Sequence, residues 1–369
     1  MRRFILGIGF TIMFLSCSET EEIIAVNGIK SDILQINQID TIYKKAKFFP
    51  NEAQMAFALI KNGEISYFGI KRTNDTLITV ENKDKAFEIG SISKVFTATL
   101  LSNFIIDKEL LPDDKINTFF DYSFNDNLEF TFEELANHTS GLPRMPSNIH
   151  LSAMLSPKNP YKNYDEKKFE KYLKESISLE YSKGEKSEYS NLGAGLLSYT
   201  LRKYSRKSYE ELLKEKIFSK YQMTNSTTER SRISDILIGG FDEKGRKTSN
   251  WDSGVLIGAG GIYSTTEDLA KFALAQFDES NAELAFTRQK TFQENDFRDV
   301  GLGWFIINRK DGNKWYWHNG GTGGYTSSMA IDIKNKNGVI ILTNISSYHE
   351  KFAFIDQLCF SLMNTLYIH

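Results

Sequence analysis

A serine stands three residues before a lysine in Phe87-Glu88-Ile89-Gly90-Ser91-Ile92-Ser93-Lys94, and the apolar run Val95-Phe96-Thr97-Ala98-Thr99-Leu100-Leu101 follows. That run predicts a helix. The spacing puts Ser91 and Lys94 on one helical face. Ser91 then stands at the helix N-terminus, where free N–H groups and the dipole favour developing negative charge. A lysine held out of water gives up its proton near neutral pH. It can then take the serine proton as the hydroxyl attacks a carbonyl. The same letters also fit a capping serine followed by an exposed lysine.

Two further clusters offer matching chemistry. Tyr189-Ser190-Asn191 precedes a predicted helix over 192–204. A phenol there can relay a proton, and an amide can hold a substrate amide group. An aromatic beside an Asx turn is the plainer alternative. The third cluster is Trp317-His318-Asn319-Gly320-Gly321-Thr322-Gly323-Gly324-Tyr325. Its glycines let backbone come close to a ligand, and His318 can donate a hydrogen bond into a cleft. A glycine-rich hairpin turn is the alternative. No helix with Lys-Ser or Lys-Thr follows, so this is not a phosphate loop. The five histidines are scattered without metal-ligand spacing, so neither a metal nor a cofactor is expected.

These residues need a scaffold. Met55–Ile60 and Ile65–Ile70 read as strands joined around Asn62-Gly63, a strong hairpin signal. Leu302–Ile307, Tyr325–Ile333 and Val339–Leu342 read as strands near the other end, with Asn335–Gly338 as the last turn. A final helix is expected over 350–366. Thr131-x-x-Glu134, Ser208-x-x-Glu211 and Ser264-x-x-Glu267 have capping-box spacing, and 165–176 reads as a charged amphipathic helix. Strands from both ends therefore bracket a helical centre. The fold class is α/β (α+β): one antiparallel sheet from N- and C-terminal strands, flanked by helices, with an inserted mostly helical lobe. A cleft between the lobes is the natural ligand site.

Taken in order, the three clusters resemble the serine β-lactamase and penicillin-binding protein family. The branch they resemble is class C, where the second element is Tyr-x-Asn and the third is Lys-Thr-Gly or His-x-Gly. Leu135-Ala136-Asn137-His138-Thr139-Ser140-Gly141-Leu142-Pro143, Ala259-Gly260-Gly261-Ile262-Tyr263-Ser264-Thr265 and Gly301-Leu302-Gly303-Trp304 strengthen the likeness, which spans roughly 54–366. The resemblance implies a serine hydrolase. Ser91 would form an acyl-enzyme, with Lys94 and Tyr189 moving protons; it leaves open which of the two is the base. Asn191, His318 and Gly320 would bind substrate, and the N–H groups of Ser91 and Gly321 would form the oxyanion hole. His138 and Ser140 would be parts of a structural turn. His318 stands where β-lactamases of this kind carry lysine, and Asn319 where they carry threonine. Both changes weaken the hold on a substrate carboxylate. That shifts the expectation from a dedicated β-lactamase toward a DD-peptidase-like or esterase-like enzyme. The polar, proline-bearing stretch 144–162 is expected to cover the cleft.

The chain has 369 residues, 25% of them charged, with a net charge of −2. No nucleic-acid partner is expected. Arg2 and Arg3, the apolar run from Phe4 to Leu15 and then Leu15-Ser16-Cys17 resemble a signal peptide ending in a bacterial lipobox. The expected organisation is a signal peptide over 1–17, a tether over 18–35 and a hydrolase domain over 36–369. Lipidation at Cys17 would anchor an exported monomer to the bacterial cell envelope, on the periplasmic side or the cell surface. Its substrate would be a small molecule or a peptidoglycan-derived fragment. The alternative from another class is an inactive lipid-anchored binding or sensor protein on the same fold. Cys359 lies in an apolar stretch and reads as a buried small hydrophobe.

Overall fold

The computed structural model describes residues 24–367. Cys17 and the expected signal peptide lie outside them. Twelve strands are formed among these residues: β1 (Val26–Gly28), β2 (Gln54–Lys61), β3 (Glu64–Thr73), β4 (Thr76–Thr79), β5 (Phe87–Glu88), β6 (Tyr263–Ser264), β7 (Phe292–Gln293), β8 (Arg298–Val300), β9 (Phe305–Asn308), β10 (Lys314–Gly321), β11 (Thr326–Asp332) and β12 (Asn337–Thr343). Ten form one sheet, ordered β1-β4-β3-β2-β12-β11-β10-β9-β8-β7, while β5 and β6 pair separately. N-terminal β2 lies beside C-terminal β12, with Ala58 opposite Ile340. The two ends of the chain are thus joined in mid-sheet. Every pairing in the large sheet is antiparallel except β1 with β4.

The period of two along a strand divides the core in two. Ala56, Ala58, Ile60, Ile340 and Leu342 face the helical lobe. Met55, Phe57, Leu59, Val339 and Ile341 face the opposite side, under helices Ile36–Ala46 and Phe354–Thr365. The central strands are therefore buried on both faces. The helix Ser93–Ile106 crosses the lobe side with residues 93–102 all buried. A helix surrounded by protein needs no polar stripe, and this one has none.

The sheet, the flanking helices and the hairpin at Asn62-Gly63 agree with the sequence reading; both turn residues have positive φ, 55° and 86°. Three local expectations need correction. The sequence reading misses a strand before the glycine turn: β10 runs from Lys314 through His318 to Gly321 between β9 and β11, and residues 322–325 make the connection to β11. The cap at residue 264 moves by one: Ser264 pairs with Phe87 across β5 and β6, and Thr265 caps the next helix by accepting from the Asp268 N–H. Part of the expected tether joins the fold as well, since Val26–Gly28 pairs with Thr76–Ile78 and Ala25 is buried. The boxes at Thr131 and Ser208 form as read.

Candidate active site

A tight 3-10 turn, Gly90–Ile92, leads into the helix Ser93–Ile106 and carries Ser91 at its mouth. Gly90 sits at φ +52°, a conformation that disfavours side chains. The turn rests against the end of β10. A Cβ on Gly90 would lie 2.6 Å from the Gly321 nitrogen, and one on Gly320 would lie 2.0 Å from the Ile89 oxygen. Glycine at these points brings the serine turn and the strand together.

Lys94 is 3% exposed, and its Nζ has three oxygen partners. They are Ser91 Oγ at 3.1 Å, Asn191 Oδ1 at 2.8 Å and the Ala259 carbonyl at 2.7 Å. Burial holds the amine well below the usual lysine range, and the nearby Arg144 charge pushes it further down. Nζ also lies 4.6 Å from the Tyr189 ring centroid. The Tyr189 hydroxyl is within hydrogen-bonding reach of Ser91; burial pushes the phenol up, so it stays protonated at neutral pH.

Asn191 opens the helix Asn191–Ser205, and Ser190 caps it by accepting from the Gly193 N–H. The preceding stretch fixes this turn. His138 Nδ1 accepts from the Ser190 N–H, Ser190 Oγ donates to the Pro143 carbonyl, and the Arg144 carbonyl accepts from the N–H groups of Asn191 and Leu192. His138 is 4% exposed at φ +63°, and the Ser140 hydroxyl accepts from the Leu142 N–H. Ser140 acts within its own turn, whereas His138 ties that turn to the Ser190 segment.

His318 departs from the reading made on sequence. It is 1% exposed and packs against Tyr189 and Phe305 rather than lining the cavity at Ser91. Its Nδ1 lies 2.6 Å from the Asn319 carbonyl, which can only accept, so Nδ1 carries the proton. Burial, with Lys94 nearby, holds the imidazolium pKa at about 3, so the ring is neutral and Nε2 is a bare acceptor. The expected donor into the cleft is not there. Gly320 likewise lies behind the cavity wall, whereas Gly321 and Thr322 line it.

The cavity holds about 340 Å³ and is lined by Ser91, Arg144, Tyr161, Trp251, Gly321 and Thr322, among others. The stretch 144–162 supplies one wall through Met145, Ile149, Pro160 and Tyr161. A more open cavity of about 620 Å³ adjoins it across Trp251 and Ser253 and lacks Ser91. On sequence Ala259 only opens a family-like stretch and Arg144 only opens the stretch expected to cover the cleft, while Trp251 is not singled out. Their roles at the site are not local signals, because only the folded chain brings them to Ser91.

Glu88 lies beneath this floor, 4% exposed, accepting from Asn250 Nδ2 at 2.8 Å and the Trp251 N–H at 2.9 Å. Burial raises its pKa to about 7, although these donors and the Thr322 hydroxyl pull it back. A raised folded pKa means that the native state holds the proton more tightly than the unfolded chain. Its stabilising effect is full below the ordinary carboxylate range and is lost as pH rises through about 7. Glu88→Gln is expected to remove that loss, on the order of 2–3 kcal/mol between pH 4.5 and 8. Denaturant titrations of both proteins across that range would show it; parallel profiles would rule it out.

Residues 50–358 match the protein family described as Beta-lactamase. The chain is 26% identical over 291 residues to Penicillin-binding protein 4* of Bacillus subtilis (strain 168), covering 70% of this chain and 60% of that protein. It is also 26% identical over 291 residues to Beta-lactamase-like protein 2 of Dictyostelium discoideum, covering 73% and 50%. The chain thus spans about half to three-fifths of the length of these relatives. The octameric penicillin-binding protein homologue from Pyrococcus abyssi has the same fold, with a TM-score of 0.73 at 21% identity over 89% of this chain and 75% of that one.

Proposed function

Because this chain belongs to the β-lactamase family, we propose that it is a serine hydrolase that opens an amide or ester bond through an acyl-enzyme on Ser91. One observation carries the reading. Lys94 Nζ is held by two oxygens that can only accept, and it also meets Ser91 Oγ. A neutral amine has two N–H groups. Asn191 Oδ1 and the Ala259 carbonyl take both, so the lone pair is left for the Ser91 O–H. On this reading Lys94 is the base and takes the proton while Ser91 Oγ attacks the carbonyl carbon. The N–H groups of Ser91 and Gly321 receive the oxyanion. Tyr189, still a phenol, protonates the leaving nitrogen or oxygen and recovers its proton from the Lys94 ammonium. Water then attacks the acyl carbon, giving up a proton by the reverse route, and the acid departs.

The Tyr-x-Asn and His-x-Gly elements support a place beside the class C enzymes, among their DD-peptidase-like and esterase-like relatives. A neutral, buried His318 supplies no charge for a β-lactam carboxylate, so such a carboxylate would need a partner elsewhere in the cleft. Small esters, D-alanyl peptides and D-amino-acid amides are the substrates to try beside nitrocefin. We also propose export, with Cys17 as the lipid-bearing residue.

The test is fluorophosphonate labelling of the full chain followed by peptide mapping. The expected adduct sits on the peptide containing Ser91. A folded protein that takes no label and turns over none of these substrates would favour the inactive binding protein instead. The pH profile gives a second check. With its pKa held well below the ordinary lysine range by burial and Arg144, Lys94 sheds its proton at lower pH than a free lysine does. The acid limb of kcat/KM is expected to lie well below the ordinary lysine range. A limb in the ordinary lysine range would contradict Lys94 as the base.

A further inference from the structure

Arg144 is an exposed cation on the wall of the Ser91 cavity. Its guanidinium lies 5.0 Å from the Tyr189 ring centroid, one tyrosine ring away from the nucleophile. Its position is fixed from below, because its carbonyl accepts from the first two N–H groups of the helix that Asn191 opens. The charge is felt on several sides: it pushes down Lys94 and His138, and it pulls down the tyrosines Tyr161, Tyr189 and Tyr348.

No carboxylate among the described residues lies within ion-pairing distance of Arg144. The cavity lining has no aspartate or glutamate; its other titratable groups are His150, Tyr161 and Tyr348. The neighbouring cavity is different. Its cation, Arg230, lies 3.3 Å from Asp252, so that charge is already answered. An unanswered guanidinium presents a flat fork of donors that matches a carboxylate. His318, in the position that the third motif would assign to this task, is neutral and is not among the residues lining the cavity.

We propose that Arg144 determines specificity in this cleft by binding a free carboxylate of the substrate, so that the acyl compounds hydrolysed are anionic. The inference rests on the hydrolase reading above and deepens it. The carboxylate engages Arg144 while the scissile carbonyl lies over Ser91. Aromatic Tyr161, Trp251 and Tyr348 cover the apolar part between or beside them.

Two matched substrate pairs test this on the full chain. On the acyl side, p-nitrophenyl hemiglutarate is compared with p-nitrophenyl valerate. On the leaving-group side, m-carboxyphenyl phenylacetate is compared with its carboxamide. The acid is expected to exceed its neutral partner in kcat/KM at least about tenfold in one pair. Arg144→Gln is expected to lower that acid-to-neutral ratio by at least about tenfold, mainly through KM. Arg144→Lys is expected to keep part of the preference, and Arg144→Glu to shift it toward p-nitrophenyl 5-aminovalerate. The side chain makes no hydrogen bond among the described residues, so these variants are expected to fold. Ratios near one in both pairs, or Arg144→Gln slowing acid and neutral esters alike, would overturn the inference and leave the hydrolase standing. No turnover of any ester together with no fluorophosphonate label would remove the hydrolase itself, and this inference with it.

Discussion

Ser91→Ala is expected to lower kcat/KM by about 10⁴-fold or more, and Lys94→Met made on top of it to lower it no further. Alone, Lys94→Met is expected to cost about 10³-fold, the scale of a lost general base. The two act as a unit because the amine's lone pair has only the serine hydroxyl to serve. Asn191 Oδ1 and the Ala259 carbonyl take its N–H groups, at 2.8 and 2.7 Å. Without the hydroxyl the base has nothing to activate; without the base the hydroxyl is an ordinary alcohol. Folding is a separate question, and the chemistry predicts opposing terms. Lys94→Met relieves the cost of a buried amine but strands two acceptors, at about 1–3 kcal/mol each when unpaired. Thermal unfolding measured beside the kinetics separates the two effects. Additive losses in the double variant, or a Lys94→Met protein that keeps more than a tenth of the activity, would mean that the proton goes elsewhere.

What could be read from sequence follows from how local each signal is. Ser91 and Lys94 are one helical turn apart, so their meeting needed no tertiary knowledge. Asn191 reaches the same nitrogen from 97 positions away; only the order of motifs placed it there. The hairpin at Asn62-Gly63 was legible because its turn chemistry is local. β10 was not: Trp315, Tyr316 and Trp317 suit a strand, but Gly320 and Gly321 at its end do not, and the ladders to β9 and β11 hold that end extended. The cap at 264 was ambiguous in its letters. Ser264-x-x-Glu267 and Thr265-x-x-Asp268 both have the spacing, and the pairing of Ser264 with Phe87 decides between them. The letters of the third motif point to His318, but its tautomer and packing depend on the Asn319 carbonyl, Phe305 and Tyr189. Arg144 carries no motif at all. Its meaning comes from the absence of acid around it, which is a property of the folded cavity.

Gly320→Ala is expected to lower kcat/KM about 10²-fold, although no atom of Gly320 needs to touch substrate. A Cβ there would lie 2.0 Å from the Ile89 oxygen and 2.5 Å from Ser327 Oγ. Neither neighbour can give way cheaply. Ser327 Oγ already donates to that same Ile89 carbonyl at 2.8 Å, and Gly320 stands opposite Ser327 in the β10–β11 ladder. The Ile89 N–H is tied to the Ile262 carbonyl at 3.0 Å. The next residue, Gly90, sits at φ +52° against Gly321. The overlap is therefore relieved by lifting the turn off the strand. That turn carries Ser91, two residues after Ile89, and the strand carries Gly321. Separating them spoils the distance from nucleophile to oxyanion donor while leaving every polar side chain in place. The strain is expected to cost about 2–3 kcal/mol of stability as well, the range of an overpacked core site. Gly239→Ala is the control, since a Cβ there meets nothing within 4 Å. A Gly320→Ala protein with unchanged kcat/KM and unfolding free energy would show that contact between the turn and the strand does not set the site. Fluorophosphonate labelling of Ser91 is expected to slow together with turnover, because the phosphonyl oxygen draws on the same oxyanion donor that the lifted turn leaves behind.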